Sequence, residues 1–258
     1  MNKQYYFISG LPRSGTTLLS TILNQNPKFQ ASISGPLARF TRAIIEQSSA
    51  MGGYRHQCPA EKRKNIIHGI FENYYDDENK EVFFDTNRGW TLLTPFLKDL
   101  YPDTKLIICV RDINWILDSF EQLYRKNPYD KNQMIPEEYA TNVYSRCDYL
   151  MREDSTVGFA YMGLKQAITS DEKNMIMLME YEQLCKNPEG MMKAIYNFIG
   201  QPYYHHDFDN VEASYDEFDA DVNVKGLHTT RKKVQWIERP TILPPDIQHK
   251  FSGMEVWR

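Results

Sequence analysis

Short apolar runs along the chain alternate with segments whose apolar residues recur at helical spacing. The runs at residues 4–9, 81–85, 105–110 and 174–179 have the length of strands. The third run, KLIICV, is continuously apolar from its second residue, as is typical of a strand that is buried on both faces of a parallel sheet. These runs therefore predict the strands of a sheet.

The helical patterns lie between and after these strands. They predict helices over residues 16–25, 36–50, 61–75, 89–100, 112–126, 136–152, 156–170 and 188–199. Repeated strand–helix alternation predicts an α/β fold with a central parallel sheet flanked by helices on both faces. We expect a single domain over residues 1–258, because one core of this class accommodates roughly 250–300 residues.

Residues 203–224 differ from the rest of the chain in having little helical periodicity. From residue 207 onwards they are rich in acids, namely Asp207, Asp209, Glu212, Asp216, Glu217, Asp219 and Asp221. A connection of this length is rarely a plain loop, so we expect a functional surface segment.

Composition and charge exclude several classes of protein. The formal net charge is −4, which argues against a nucleic-acid partner and means that any site for an anion must be a local cluster of cations. Neither a signal-peptide pattern nor an apolar run long enough for a membrane span is present, and the cysteines lack zinc spacing. The sequence predicts a cytoplasmic enzyme with no membrane partner and no metal, and it leaves a homodimer open.

The strongest chemical signal is the segment GLPRSGTT at residues 10–17. It follows a predicted strand and opens a predicted helix, the context in which a glycine-containing loop presents backbone N–H groups to an anion. A nucleoside triphosphatase would have lysine after the second glycine, where this chain has Thr16. Arg13 supplies a cation inside the loop instead, so the pattern favours a ligand without a γ-phosphate and without Mg²⁺.

This loop, read through Leu18, resembles the 5′-phosphosulfate loop of sulfotransferases that use 3′-phosphoadenosine 5′-phosphosulfate (PAPS), and it is closest to the tyrosylprotein type. The family binds the 3′-phosphate with an arginine after a central strand and a serine eight residues later, which here are Arg111 and Ser119. A guanidinium group offers several planar donors to a phosphate. The resemblance thus implies a P-loop-like fold with PAPS as cosubstrate.

Further family elements follow along the chain. MEYEQL at residues 179–184, NP at 187–188 and FIG at 198–200 resemble family packing elements, and residues 225–233 resemble the loop that folds over the cofactor. The resemblance therefore implies a set of cofactor-binding residues: Arg13, Ser14, Gly15, Thr16, Thr17, Arg111, Ser119, Tyr161, Lys225, Gly226, Leu227, His228, Arg231 and Lys232.

The expected catalytic base is where the sequence departs from the family. The position of the glutamate base of the tyrosylprotein type falls on Ser34. We expect Arg13 and Arg88 to stabilise the leaving group, and Asp85 to act as a base or as the partner of Arg88, although an N-cap role for Asp85 fits equally well. Among the histidines, His206 and His228 are the better candidates for a base.

The function that follows is transfer of a sulfuryl group to a hydroxyl or amine of a small polar acceptor. A small-molecule kinase and a non-catalytic nucleotide-binding protein are the alternatives. The acids in residues 207–221 favour a cationic acceptor, such as a guanidinium alkaloid of secondary metabolism, unless they are only a solvated surface.

Overall fold

The apolar runs form one parallel sheet. The structure, a computed structural model, describes residues 3–49, 52–127, 134–213, 215–221 and 223–258. The strands of the sheet are β1 (Gln4–Gly10), β2 (Phe29–Ala31), β3 (Val82–Thr86), β4 (Leu106–Val110) and β5 (Ile176–Glu180). Their order across the sheet is β2-β3-β1-β4-β5, and every pairing is parallel. The short edge strand β2 was not predicted.

Helices connect and follow these strands. The α-helices are α1 (Thr16–Leu23), α2 (Leu37–Gln47), α3 (Ala60–Tyr74), α4 (Thr94–Leu100), α5 (Ile113–Lys126), α6 (Val143–Leu150), α7 (Thr156–Ile168), α8 (Tyr181–Lys186), α9 (Pro188–Phe198), α10 (Asp216–Asp221) and α11 (Pro245–Lys250). No helix among the described residues is long and apolar enough to cross a membrane.

The sheet carries an apolar core on each face, as the predicted α/β fold requires. Successive residues of a strand point to opposite faces, and β1 shows the consequence. Tyr5 and Phe7 pack into a core that includes side chains of α3, α5 and α7, whereas Tyr6 and Ile8 pack into a second core with α1 and α9. The predicted central sheet with helices on both faces is therefore confirmed.

Two predicted helices are interrupted. The segment predicted as one helix over residues 89–100 is a 3₁₀ helix (Arg88–Leu93) followed by α4, which has proline in its first turn. Proline lacks an N–H group and is suited to a first turn, so Pro95 starts a new helix. Likewise, Asn142 caps α6, so the pattern over 136–152 yields a short 3₁₀ turn (Glu137–Tyr139) and then α6. The last residue of the helix predicted over 36–50 lies outside the described residues.

Strand register brings the candidate residues together. Ile8 pairs with Thr86, Gly10 with Cys109, and Val110 with Glu180. The carboxyl ends of β1, β3, β4 and β5 therefore meet at one edge, which is where α/β sheets bind ligands. The segments that follow these strands contribute the residues of the candidate site.

Residues 225–239, which we call the late segment, are anchored to α5 by Asp118. This carboxylate is buried, pairs with Arg239, and accepts hydrogen bonds from Thr241 Oγ1 at 3.0 Å and from the Ile242 N–H at 2.7 Å. A buried charge is stable only when it is paired and hydrogen-bonded. Asp118 therefore fixes the end of the late segment against the helix that carries Ser119.

We expect Asp118→Ala to lower the free energy of unfolding by about 2–4 kcal/mol, because it leaves the Thr241 and Ile242 donors and Arg239 without their partner. Hydrogen exchange should also accelerate in residues 239–243. Asp148→Ala is the matched control, since the Asp148–Lys250 pair is half exposed and should contribute less than about 1 kcal/mol. Equal losses in denaturant unfolding of the two variants would contradict the anchoring role.

Candidate active site

The loop between β1 and α1 is shaped by close contact with its neighbours. Gly10 has a φ of 137°, and a Cβ there would lie 2.1 Å from the Cys109 carbonyl oxygen. Gly15 has a φ of 95° and caps α1, and a Cβ there would lie 2.6 Å from the ring of Tyr181. Only glycine fits both positions. The first N–H groups of α1 therefore face the cleft, because Gly15, Thr16 and Thr17 all line it.

Ser14 holds the loop against β4. Its hydroxyl is buried and donates to the carbonyl oxygens of Leu11 at 2.5 Å and Cys109 at 2.9 Å. A hydroxyl has one proton, so it alternates between the two acceptors. The Ser14 side chain thus ties the loop to β4, and only its backbone can contribute to an anion site.

Arg13 spans the cleft. Its backbone has a φ of 61°, which is uncommon for a residue with a side chain. Its Nε donates to Ser119 Oγ at 3.0 Å, and its Nη1 donates to the carbonyl oxygen of Leu227 in the late segment. Burial, together with the nearby charge of Arg111, lowers the pKa of Arg13 to about 10, so the guanidinium remains charged at neutral pH.

Arg111 lies beside this bridge at the end of β4. Its guanidinium stacks on Tyr181, 4.2 Å from the ring centroid, and donates to the Arg13 carbonyl oxygen at 3.2 Å. Its buried Nε has no hydrogen-bond partner among the described residues. Burial lowers the pKa of Arg111, and the hydroxyl of Tyr181 partly offsets this. A buried guanidinium N–H without an acceptor suits a phosphate oxygen.

The cleft around these residues has a volume of about 390 Å³ and is strongly cationic. No Asp or Glu is among the described residues that line it. Its charged lining consists of Arg13, Arg88, Arg111, Lys126, Arg231, Lys233 and Arg239. An overall acidic chain therefore concentrates cations in one cleft, which favours an anionic ligand.

Arg88 lies on the opposite wall, after β3. It lines the cleft beside Ser34 and Asn87, and its side chain is exposed. Desolvation by the surrounding walls lowers the pKa of Arg88, and the charge of Arg39 adds to this. A guanidinium is protonated far above neutral pH, so Arg88 keeps its charge despite this shift.

Asp85 does not lie where the sequence suggested. It is 1% exposed, and its carboxylate accepts hydrogen bonds from Tyr75 Oη and Trp90 Nε1, each at 2.7 Å. Strand alternation explains this placement, since Thr86 lines the cleft and the preceding residue points into the helical layer. The cap at this point is Asn87, whose side chain accepts from the Gly89 N–H. This placement supports neither a catalytic base, nor the partner of Arg88, nor an N-cap at Asp85.

Tyr161 is also placed away from the cleft. It lies on α7 within the first core, with 8% of its surface exposed, and it is absent from the cleft lining. Tyr181 is the tyrosine that lines the cleft, and the sequence analysis had assigned its segment only to packing. Its position directly after a predicted strand is the signal that could have identified Tyr181, because residues at the carboxyl ends of parallel strands bind ligands. In the structure Glu180 pairs with Val110, the residue before Arg111.

The late segment covers the cleft over much of its length. Gly226, Leu227, His228 and Arg231 line the cleft, whereas Lys225 and Lys232 are exposed and do not. Residues 208–213 run beside residues 230–234 through main-chain hydrogen bonds, such as Val211 N–H to the Lys232 oxygen at 2.8 Å. Among the described residues, the cleft thus brings Arg13, Arg111 and Ser119 together with some of the residues predicted to fold over the cofactor.

None of the acids predicted to attract an acceptor lines the cleft, as far as their side chains are described. Asp209 pairs with Lys233 at 2.7 Å, and Asp219 contacts His228 at 2.7 Å. The side chain of Asp221 lies outside the described residues. Of the two histidines favoured as bases, only His228 lines the cleft, since His206 packs against Tyr196.

Comparison with known proteins agrees with this geometry. A family model described as "Sulfotransferase family" matches residues 6–205, so the chain belongs to the sulfotransferase family. Protein-tyrosine sulfotransferase A of Caenorhabditis elegans is 22% identical, and the match covers 90% of this chain and 61% of that protein. The chain thus spans less than two thirds of the length of this curated relative.

Solved structures share the fold. A sulfotransferase from Alicyclobacillus acidocaldarius superposes with a TM-score of 0.54 at 15% identity, covering 86% of this chain and 92% of that one. A mouse sulfotransferase complexed with PAP superposes with a TM-score of 0.51 at 15% identity, covering 80% of this chain and 62% of that one. At such identities the likeness establishes the fold.

Asp85 gives a prediction on pH. Desolvation raises its pKa from 3.8 to about 6. Between these values the unfolded chain loses the proton while the folded chain keeps it, so stability falls as pH rises. The unfolding free energy of the wild type relative to Asp85→Asn should therefore drop by roughly 1–3 kcal/mol between about pH 4 and pH 7, at 1.36 kcal/mol per pKa unit. Urea unfolding of both proteins across this range checks the difference, and a difference independent of pH would contradict the raised pKa.

Proposed function

We propose that this protein transfers the sulfuryl group of PAPS to a hydroxyl or amine of a small acceptor. The observation that carries the proposal is the contact of Arg13 with Ser119 and of Arg111 with the Arg13 backbone. This contact joins the loop at the start of α1 to the predicted 3′-phosphate site, in a cleft whose described lining includes cations and no carboxylate.

The residues fit a bisphosphorylated nucleotide at two points. The first N–H groups of α1 and the Arg13 guanidinium suit the 5′-phosphosulfate, and the unpartnered Nε of Arg111 with Ser119 Oγ suits the 3′-phosphate. Thr16 replaces the lysine that serves a γ-phosphate, which disfavours the kinase alternative.

The chemistry needs stabilisation of charge more than it needs covalent participation by the protein. As the acceptor oxygen or nitrogen bonds to sulfur, the bond from sulfur to the bridging oxygen breaks and PAP (adenosine 3′,5′-bisphosphate) leaves with the added charge. Arg13 and Arg88 are fixed cations on two walls of the cleft, and preorganised charge of this kind stabilises the leaving group.

The acceptor that fits this lining is neutral or anionic. A guanidinium alkaloid would bring a cation among Arg13, Arg88 and Arg231, because none of the expected acids whose side chains are described lines the cleft. Ile33, Phe120 and Met134 supply apolar lining for the body of a small molecule. The cytoplasmic location and the place in secondary metabolism stay predictions.

The direct test is turnover. The purified protein should convert PAPS to PAP in the presence of a panel of small phenols, alcohols and amines, with a sulfated product identified by mass spectrometry. ATP with Mg²⁺ and the same panel should give no phosphorylated product. Phosphorylation of an acceptor without any sulfation would replace the proposal with the kinase alternative.

Arg111→Ala should weaken PAP binding by roughly 1.5–3 kcal/mol, the range for hydrogen bonds to a charged group, or about 10- to 150-fold in Kd. Calorimetry measures the change. Arg152→Ala is the matched control, because Arg152 is half exposed and pairs with Asp154 outside the cleft. An unchanged Kd for Arg111→Ala would remove this residue from the phosphate site.

A further inference from the structure

A histidine and a buried carboxylate meet at the wall of the cleft. Nδ1 of His228 lies 2.7 Å from Asp219 Oδ1, and the His228 backbone N–H donates to both oxygens of the same carboxylate, at 3.1 and 3.2 Å. Asp219 is 2% exposed. The two residues are therefore held together by three contacts rather than by a single flexible pair.

The backbone that carries Asp219 is held by its own hydrogen bonds. The Asp219 N–H donates to the Tyr215 carbonyl oxygen, and the Val224 N–H donates to the Asp219 carbonyl oxygen, each at 3.0 Å. Tyr215 Oη lies 3.4 Å from Thr21 Oγ1 on α1. Tyr215 and the short helix α10 that follows it thus connect α1 to His228.

His228 lies near two cations of the cleft, Arg13 and Arg88. His228 lines the cleft with Arg13 and Arg88, and its neighbour Leu227 accepts the hydrogen bond from Arg13. With Nδ1–H donated to Asp219, the lone pair of a neutral imidazole is on Nε2. A carboxylate that fixes the tautomer in this way orients a histidine for proton transfer.

From this arrangement we infer that His228 is the general base of the transfer reaction and that Asp219 is its positioning residue. The inference rests on the proposed function and assigns the group that takes the proton from the attacking hydroxyl or amine. As the acceptor oxygen or nitrogen forms its bond to sulfur, its proton passes to Nε2 of His228. The bond between sulfur and the bridging oxygen breaks, PAP departs, and the imidazolium then releases the proton to solvent.

Burial and the neighbouring arginines lower the pKa of His228, which favours the neutral imidazole. Burial lowers its pKa below 6.5, Asp219 on α10 opposes this, and Arg13 from the loop and Arg88 after β3 lower it further. The neutral imidazole is the form that can accept a proton, so activity should rise with pH through the His228 pKa and then stay level.

The base therefore belongs to the late segment rather than to the strand end where Asp85 was expected. Arg13 contacts the same segment through Leu227, and Asp118 anchors its far end. His228, Arg13 and the late segment that covers the cleft are thus connected to one another. The site is complete only with the late segment in place.

The experiment uses water as the acceptor, so that no natural acceptor has to be known. PAPS cleavage to PAP is followed by chromatography from about pH 5 to pH 9 for the wild type, His228→Gln, His228→Ala, Asp219→Asn and the control His249→Gln, which alters an exposed histidine on α11. Calorimetry with PAP on each protein separates binding from chemistry.

We expect His228→Gln to lower the cleavage rate at saturating PAPS by roughly 100-fold or more, the range for a general base, and to abolish the rise with pH. Added imidazole should restore part of the rate of His228→Ala. Asp219→Asn should lower the rate and move the rise to lower pH, because the carboxylate supports protonation of His228.

A cleavage rate and pH profile of His228→Gln equal to those of the wild type, with PAP still bound, would overturn the inference and leave the proposed function standing. PAP binding by the wild type without any cleavage of PAPS would also contradict it, because a base in this position should activate water. A wild type that binds neither PAP nor PAPS would instead refute the proposed function.

Discussion

The structure gathers several positive charges at one edge of a sheet in a chain whose net charge is negative. Arg13, Arg88 and Arg111 follow three adjacent strands, and burial together with the charge of Arg111 lowers the pKa of Arg13 to about 10. Holding such charges close together costs folding free energy, since like charges repel and desolvated charges lose hydration. A ligand with two anionic groups relieves this cost, so the cleft is preorganised for one.

The surrounding fold keeps these charges in place with groups that do not neutralise them. Tyr181 supports Arg111 through its ring face, and Ser14 ties the loop to β4 through the Cys109 carbonyl oxygen. Asp118 binds Arg239 at the end of the late segment, away from the loop. Carboxylates such as Asp118 thus act as anchors behind the cleft, and no carboxylate among the described residues is paired with Arg13 or Arg111.

Much of this arrangement was predictable from local sequence. The loop GLPRSGTT after a strand indicates backbone donors for an anion, and the resemblance to the family adds an arginine with a serine eight residues later. Strand register brings those ends together. The order of strands and helices follows from periodicity. Interruptions such as Pro95 were missed because the apolar stripe continues on both sides of the proline.

Side-chain direction at the ends of elements was the part that could not be predicted. Asp85 and Thr86 are adjacent, and only the register decides which of them faces the cleft. Tyr161 and Tyr181 are both aromatic residues near the fourth predicted strand, and only the packing of α7 distinguishes them. The pairing of Asp219 with His228 depends on a short helix inside a segment without clear periodicity, so the sequence predicted that its acids attract a cationic acceptor and indicated no partner for Asp219.

The central claim is that one bisphosphorylated nucleotide bridges the loop and the end of β4. A crystal structure with bound PAP tests it most directly. The account predicts the 5′-phosphate within hydrogen-bond distance of the N–H groups of residues 13–17, and the 3′-phosphate within hydrogen-bond distance of Arg111 and Ser119. A nucleotide bound elsewhere, or with its two phosphates exchanged between these places, would contradict it.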